Sequence, residues 1–209
     1  MKKIILVLSF VLMTLPQICS AAIIDTALYL GNTNIMYPVI FTGNPEAEGK
    51  INSEIRNAVK NFTDGVKAES EEYGSPAEIS VGFSIPCNEE NGILSIILEE
   101  YVNYEGSAHP MIFQRTLNFN SDSGVRLTVE GLSEIAKEEF GESAYSPKNI
   151  TRKLKAFAKS EGIELYPDFK ELETVPEDFY FDSNLHVRFI FQKYDVAPYA
   201  VGIIDIDAG

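Results

Sequence analysis

Between residues 51 and 66, apolar side chains fall at Ile51, Ile55, Val59, Phe62 and Val66, separated by 4, 4, 3 and 4 positions. Lys, Glu and Asn fill the gaps, so the run forms one stripe of an amphipathic helix. The stripe predicts a helix over about 48–72, closed by Gly74-Ser75-Pro76 because proline cannot continue an α-helix. Ahead of it, residues 37–41 (Tyr-Pro-Val-Ile-Phe) read as a first strand, ended by turn residues at 42–45. Beyond the helix the period drops to two. Ile79, Val81, Phe83 and Ile85 alternate with Ser80, Gly82 and Ser84, the pattern of a half-buried strand. A turn at 88–92, ending in Asn91-Gly92, leads into a strongly apolar run at 93–102. Another strand follows at 111–119, with Met111, Phe113, Leu117 and Phe119 on one face, and a turn at 120–124 opens into residues 125–128. These segments predict an antiparallel meander of at least four strands.

The second half resumes helical spacing. Leu132, Ile135, Ala136 and Phe140 mark a short amphipathic helix. Ser146-Pro147 starts another, with a serine N-cap and proline at the first helical position, and Gly162 stands where it should stop. Its apolar face is Ile150, Leu154, Phe157 and Ala158, and residues 169–172 suggest one more short helical turn. The tail returns to period two. Phe179-Tyr180-Phe181 precedes a turn at 182–184; Leu185, Val187, Phe189 and Phe191 alternate with His186, Arg188 and Ile190; residues 195–199 form a loop; and 203–206 make a final strand. No repeat, linker or low-complexity tract divides the chain. The expected class is α+β, an antiparallel sheet covered by helices on one side. One domain is expected over 23–209, its parts at about 37–120 and 121–209 packed as a unit.

The first 22 residues are set apart by composition. Lys2 and Lys3 precede an almost unbroken apolar run at 4–15, and Cys19-Ser20-Ala21-Ala22 supplies the small residues cut by signal peptidase. Cleavage is expected after Ala22, with Ala21 the alternative. The run of about a dozen residues is short of the roughly 20 that a spanning helix needs, and no second run approaches that length. The exported product is therefore expected to carry no membrane span, in the periplasm or outside the cell. Cys19 raises a lipoprotein alternative, which the residues before it (Pro16-Gln17-Ile18) do not favour.

Charge then narrows the partners. The whole chain has 17 basic and 31 acidic side chains; losing Lys2 and Lys3 leaves 15 against 31, a net charge of −16. Such a surface repels nucleic acid and anionic lipid and attracts cationic partners at low salt, although acidity also serves plain solubility. Past the leader, Cys87 is the remaining cysteine, so an internal disulfide is excluded. It reads as a small buried apolar residue, with pairing between chains as the lesser use.

Signals for chemistry are sparse. Cys87, His109 and His186 have no zinc-ligand spacing. Residues 120–124 echo the start of a calcium loop but lack its closing acid, since position 131 is Gly, and a hairpin turn explains them more simply. Asp205 and Asp207 share a face of the last strand and read as a solvated rim. Ser107 lies two residues before His109, but no Gly-x-Ser-x-Gly elbow and no phosphate-binding glycine loop is present. Paired-carboxylate glycan chemistry has no pair of acids singled out for it, and the chain has no Trp for sugar stacking. A non-enzymatic domain without cofactor or metal is expected.

Two segments carry a resemblance. The loop Tyr104-Glu105-Gly106-Ser107-Ala108-His109-Pro110 comes before a strand and the turn at 120–124. The tail has Phe179-Tyr180, the strand 185–191, then Tyr194-Asp195-Val196-Ala197-Pro198-Tyr199-Ala200-Val201-Gly202. Together they resemble a family of bacterial extracytoplasmic domains that forms the lysozyme-binding outer part of anti-sigma-V factors and precedes the catalytic module of some peptidoglycan deacetylases. The resemblance covers roughly 37–209 and implies an α+β binding domain without catalysis of its own. Neither a sigma-binding segment nor a deacetylase module is expected in this chain. The implied partner is a cationic protein such as lysozyme, or peptidoglycan, and the alternative is a wall-polysaccharide hydrolase or deacetylase-associated domain. Candidate contact residues are Tyr104, Gly106, His109, Pro110, Tyr194, Pro198 and Tyr199. Each has a bland reading as well: Gly106 as a tight turn, His109 as a hydrogen-bonded structural residue, and Pro198-Tyr199 as packing of the tail.

Overall fold

The computed structural model of the chain describes residues 21–88, 92–140 and 144–209, with residues 135–140 described by backbone alone. The expected leader therefore lies, up to residue 20, outside the described residues, as does most of the turn expected at 88–92. A hairpin opens the described chain, β1 (Ile23–Tyr29) and β2 (Asn32–Phe41), turning at Leu30-Gly31, both with positive φ. The sequence pattern showed only the end of β2, because β1 and the start of β2 are largely exposed and lack a clean alternation.

Helix α1 (Pro45–Tyr73) carries the chain across to β3 (Ala77–Asn88), which lies parallel to β2. Asn44 caps the helix by accepting from Glu46 N, and Gly74 ends it in the left-handed conformation. The predicted stripe is the buried one: Ile51, Ile55, Val59, Phe62 and Val66, with Ala47. At about 1.5–3 kcal/mol for each large side chain, this face holds α1 to the sheet far more strongly than helix propensity does. Strands β4 (Ile93–Tyr104) and β5 (Met111–Asn120) complete a five-stranded sheet in the order β1-β2-β3-β4-β5. It is antiparallel except at β2–β3. That pairing is confined to Ile35↔Val81, since Asn52 of α1 takes both the N–H and the C=O of Ile40. The expected fourth meander strand at 125–128 contributes only an isolated bridge, Phe119↔Arg126.

The second half builds a separate sheet. Helices α2 (Val129–Phe140) and α3 (Pro147–Glu161) lead to β6 (Phe179–Phe181), β7 (Val187–Phe191) and β8 (Ile204–Asp207), all antiparallel. Ser146 and Gly162 cap α3 as its sequence predicts, whereas residues 169–172 form no helical turn. A single 3-10 turn, Tyr199–Val201, sits before β8.

The helices do not share one side. α1 covers one face of the first sheet, packing on Leu94, Ile96, Leu98 and Val102 of β4. The opposite face, through Ile97, meets Tyr180 and Ile190 of the second sheet. The outer face of that second sheet, with Phe179, Phe189 and Phe191, is covered by Ile150 and Leu154 of α3. The layers thus run α1, five strands, three strands, α3. This is why β4 reads as a continuous apolar run: both its faces are covered. The two sheets are also joined by buried polar groups. Asn118 accepts from Ser95 Oγ (2.7 Å) and donates to the Phe179 carbonyl (2.6 Å), while Ser95 accepts from Phe181 N–H (3.0 Å).

Candidate functional site

Four of the seven predicted contact residues, His109, Pro110, Tyr194 and Tyr199, come together where the β4–β5 loop meets the tail, with Pro198 beside them in the chain. The His109 ring stacks on Tyr199 with centroids 3.7 Å apart, and its Nε2 lies 3.0 Å from the Tyr194 hydroxyl. The Tyr199 hydroxyl donates to the Pro110 carbonyl at 2.8 Å. Lys193 Nζ stands 4.1 Å from the Tyr199 ring centroid, a cation–π contact. Tyr194 is half exposed and has φ of +72°, a conformation seldom used by a bulky residue. Pro198 leads into the 3-10 turn that presents Tyr199. The cluster is a solvent-facing aromatic knot in which, among the described residues, the imidazole nitrogens face the Tyr194 hydroxyl and the Pro110 carbonyl and no carboxylate.

The remaining two stand apart from it. Tyr104, at the end of β4, donates to a Glu69 carboxylate oxygen of α1; burial, then that carboxylate, pushes its phenol up to about 12. Gly106 has φ of +82° in the turn where Ser107 N–H reaches the Tyr104 carbonyl, a loop-forming position away from the rings. Ser107 Oγ points to Asn103 Oδ1 (3.1 Å) and the His109 carbonyl (3.3 Å), so no serine–histidine pair forms.

A second constellation, which sequence reading missed, lies between α1, β5 and the segment entering β6. Glu100 is 1% exposed and holds Arg115 through both carboxylate oxygens, at 2.9 and 3.3 Å. Burial raises the Glu100 pKa, and the Arg115 bond only partly offsets this. Asp178 accepts from Thr116 N–H and from Gln192 Nε2, and Gln192 pairs with the Gln114 backbone in both directions. Arg126 donates to the Thr116 carbonyl and lies over the Phe119 ring, with Glu54 3.9 Å away; burial lowers its pKa. These groups line two adjoining hollows of about 220 and 230 Å³ that share Arg115 and Asp178, with Asn57 and Asn61 of α1 on one wall and Phe113 on the other. Four carboxylates (Glu54, Glu100, Glu177, Asp178) against two guanidiniums leave two negative charges in surplus. The available signal was the in-register pair Glu100↔Phe113 with Arg115 two residues on, but the residues from 177 onward are brought in only by the packing of the second sheet.

Of the terminal acids, Asp207 is exposed as a rim residue would be, whereas Asp205 is half-buried. Asp205 accepts from the Tyr180 hydroxyl (2.6 Å) and Arg188 Nε (2.9 Å), and Asp207 pairs with His186 at 3.1 Å. Residues 120–124 form a turn in which Asn120 Oδ1 accepts from Ser123 N–H and Oγ. Among the described residues, no three His, Cys, Asp or Glu side chains are placed to share a metal ion, and no helix is long and apolar enough to cross a membrane.

Against known proteins, residues 26–112 match the family model described as "Deacetylase PdaC", and residues 126–207 match "Protein of unknown function (DUF3298)". The chain thus joins a PdaC-like first half to a DUF3298-type second half, in agreement with the resemblance of its loop and tail. A DUF3298-family structure from Bacteroides fragilis superposes with a TM-score of 0.54 at 16% identity, covering 89% of this chain and 87% of the other. It shares the fold. A second DUF3298-family structure, from Pseudomonas aeruginosa, gives a TM-score of 0.49 at 14% identity over 90% and 88% of the two chains. Among curated proteins no sequence match was found.

Proposed function

We propose that this chain is an exported, non-catalytic binding domain of the bacterial envelope that docks a cationic protein, with lysozyme as the model partner. The observation that carries the reading is the acid surplus, −16 on residues 23–209, which remains after Lys50, Lys60 and Lys67 offset Glu46, Asp64 and Glu71 along α1. Opposite fields accelerate encounter with a basic protein and lose their effect as salt screens them. The surplus at the Arg115–Asp178 hollows gives a cationic side chain a place to enter, and the aromatic knot at His109 and Tyr199 offers amphipathic contact area nearer the rim.

A second reading, wall glycan bound in the same hollows, is favoured by their amide and guanidinium lining with Phe113 beside it. It accords with the name of the family matched by the first half, a deacetylase. Retention of lysozyme on immobilised protein at low and high salt distinguishes the two. The first reading expects capture at low salt that fades at high salt, and no capture at low salt removes it. The second expects pelleting with purified peptidoglycan that Arg115→Ala weakens.

A further inference from the structure

In a chain where nearly a quarter of the residues are charged, the stretch from Ala22 to Pro45 holds one charge, Asp25, and no basic residue lies between Ile4 and Gly49. This stretch is the β1–β2 hairpin. Five of the ten large apolar side chains that stand exposed among the described residues belong to it: Ile23, Leu28, Leu30, Met36 and Phe41. β1 is also the outer strand of its sheet. Natural sheet edges are usually guarded by lysines, prolines or bulges; this edge has Asp25 and, at its far end, a register shift between Leu28 and Tyr29, with no Lys or Pro along β1.

The backbone shows which groups face outward. Thr26 is opposite Pro38, which has no N–H to give, and the Thr26 N–H goes instead to its neighbour's carboxylate, Asp25 Oδ1, at 2.7 Å. Thr26 is therefore turned away from β2, and by the two-residue period Ile24 and Leu28 are too.

We infer that β1 pairs with β1 of a second copy, antiparallel about a two-fold axis at Thr26, joining two five-stranded sheets edge to edge. In this register Thr26 meets its equivalent, Ile24 meets Leu28 of the other copy, and Asp25 meets Ala27, so apolar residues face each other and the two carboxylates are not opposed. A self-complementary patch of this kind is what a two-fold interface requires. An anionic lipid surface is a poor occupant, because the hairpin itself carries no Lys or Arg to engage it, and Lys60 of α1, beside Tyr29, is already paired with Asp64. A strongly basic strand would find only one carboxylate to meet. The hairpin is the part of this surface where two like-charged bodies approach with least repulsion, and added salt strengthens the pairing.

The test is sedimentation velocity on the whole chain, expressed with its own leader and purified from the exported fraction, at low and at high salt. Twice the monomer mass is expected, with the dimer share growing as salt rises. Thr26→Pro, which removes an outward N–H not used by β2, and Leu28→Lys, which sets a charge against Ile24 of the other copy, should each reduce the mass to that of the monomer with an unchanged circular dichroism spectrum. Thr26→Cys should form an oxidisable cross-link within the dimer. A monomer at both salts, or a dimer unmoved by Leu28→Lys and not cross-linked through Cys at 26, overturns the inference. Lysozyme retention is independent of either result, so the two proposals fail separately.

Discussion

The imidazole of His109 lies nearly flat on the phenol of Tyr199, with the two planes 22° apart, and joins positions ninety residues apart in the chain. One belongs to the loop closing the first sheet and the other to the turn entering the last strand. The Tyr199 hydroxyl, fixed on the Pro110 carbonyl, keeps the rings in register.

Tyr199→Phe should lose about 1 kcal/mol, the net worth of one hydrogen bond. Tyr199→Ala should lose about 2–3 kcal/mol, because the stack with His109 and the Lys193 contact go as well. Urea unfolding measures both. An unchanged midpoint for Tyr199→Ala would show that the knot does not hold the tail.

Arg115→Ala leaves Glu100 buried without its cation. The expected cost near neutral pH is about 2–3 kcal/mol, below the usual range for a broken buried pair because Arg115 itself is half exposed. The sign with pH follows from the raised Glu100 pKa. Its protonated form suits the fold better, so its contribution is full below the unfolded carboxylate value and is lost as pH rises through the folded one. Without Arg115 the folded value climbs further. The deficit of the variant against wild type should therefore shrink as pH is lowered through the carboxylate range, as paired unfolding curves would show.

Gly124 has φ of +70°, and a Cβ placed on it would lie 2.7 Å from the Ala47 carbonyl oxygen and 2.8 Å from the Ala47 Cα. Ala47 is a fully buried residue of α1, so neither backbone has room to yield. Gly124→Ala should cost about 3 kcal/mol or more. Gly106→Ala shares the positive φ with no atom within 4 Å, and should cost only about 1 kcal/mol. A smaller loss at 124 than at 106 would contradict the packing described.

Leu30 occupies the left-handed region at φ of +50° while 90% exposed, so it carries backbone strain with little packing in return. Leu30→Asn should raise stability by about 1 kcal/mol. A thermal midpoint that falls would refute the strain.

Ala22 is buried, and Asn88 grips it by accepting from its N–H (2.9 Å) and donating to its C=O (2.8 Å). If residues 1–21 are cut away as a leader, the cut is expected after Ala21, the alternative site, and not after Ala22, so that Ala22 stays with the fold. Intact-mass measurement of the exported protein decides; a chain starting at Ile23 would count against it.

What could be read in advance follows from what each element buries. α1 buries one stripe against one sheet, so its period, that stripe and its closing Gly74 were legible, while its start at Pro45 and its Asn44 cap were not; α3 showed both its caps. β3 carries its apolar alternation in plain form. β1 did not announce itself, because Ile23, Asp25, Thr26 and Leu28 are exposed and obey no period. The side taken by each helix was misjudged, since the run at 93–102 signals two covered faces without saying that α1 covers one and the second sheet the other. At the site, the loop and tail motifs pointed to His109, Pro110, Tyr194 and Tyr199, which do meet. The Glu100–Arg115 pair shows only through the register of β4 and β5, and Asp178 has no local signature, for it is placed by Thr116 and Gln192 from distant segments.

Because, among the described residues, Ile97 and Ser95 are covered by Tyr180, Phe181, Ile190 and Ile203, the first sheet lacks this lining until residues 180–203 have left the ribosome. A chain halted before residue 178 would expose a sticky, half-finished wall. Its safe passage depends on completion or on a chaperone that shields this wall in the meantime.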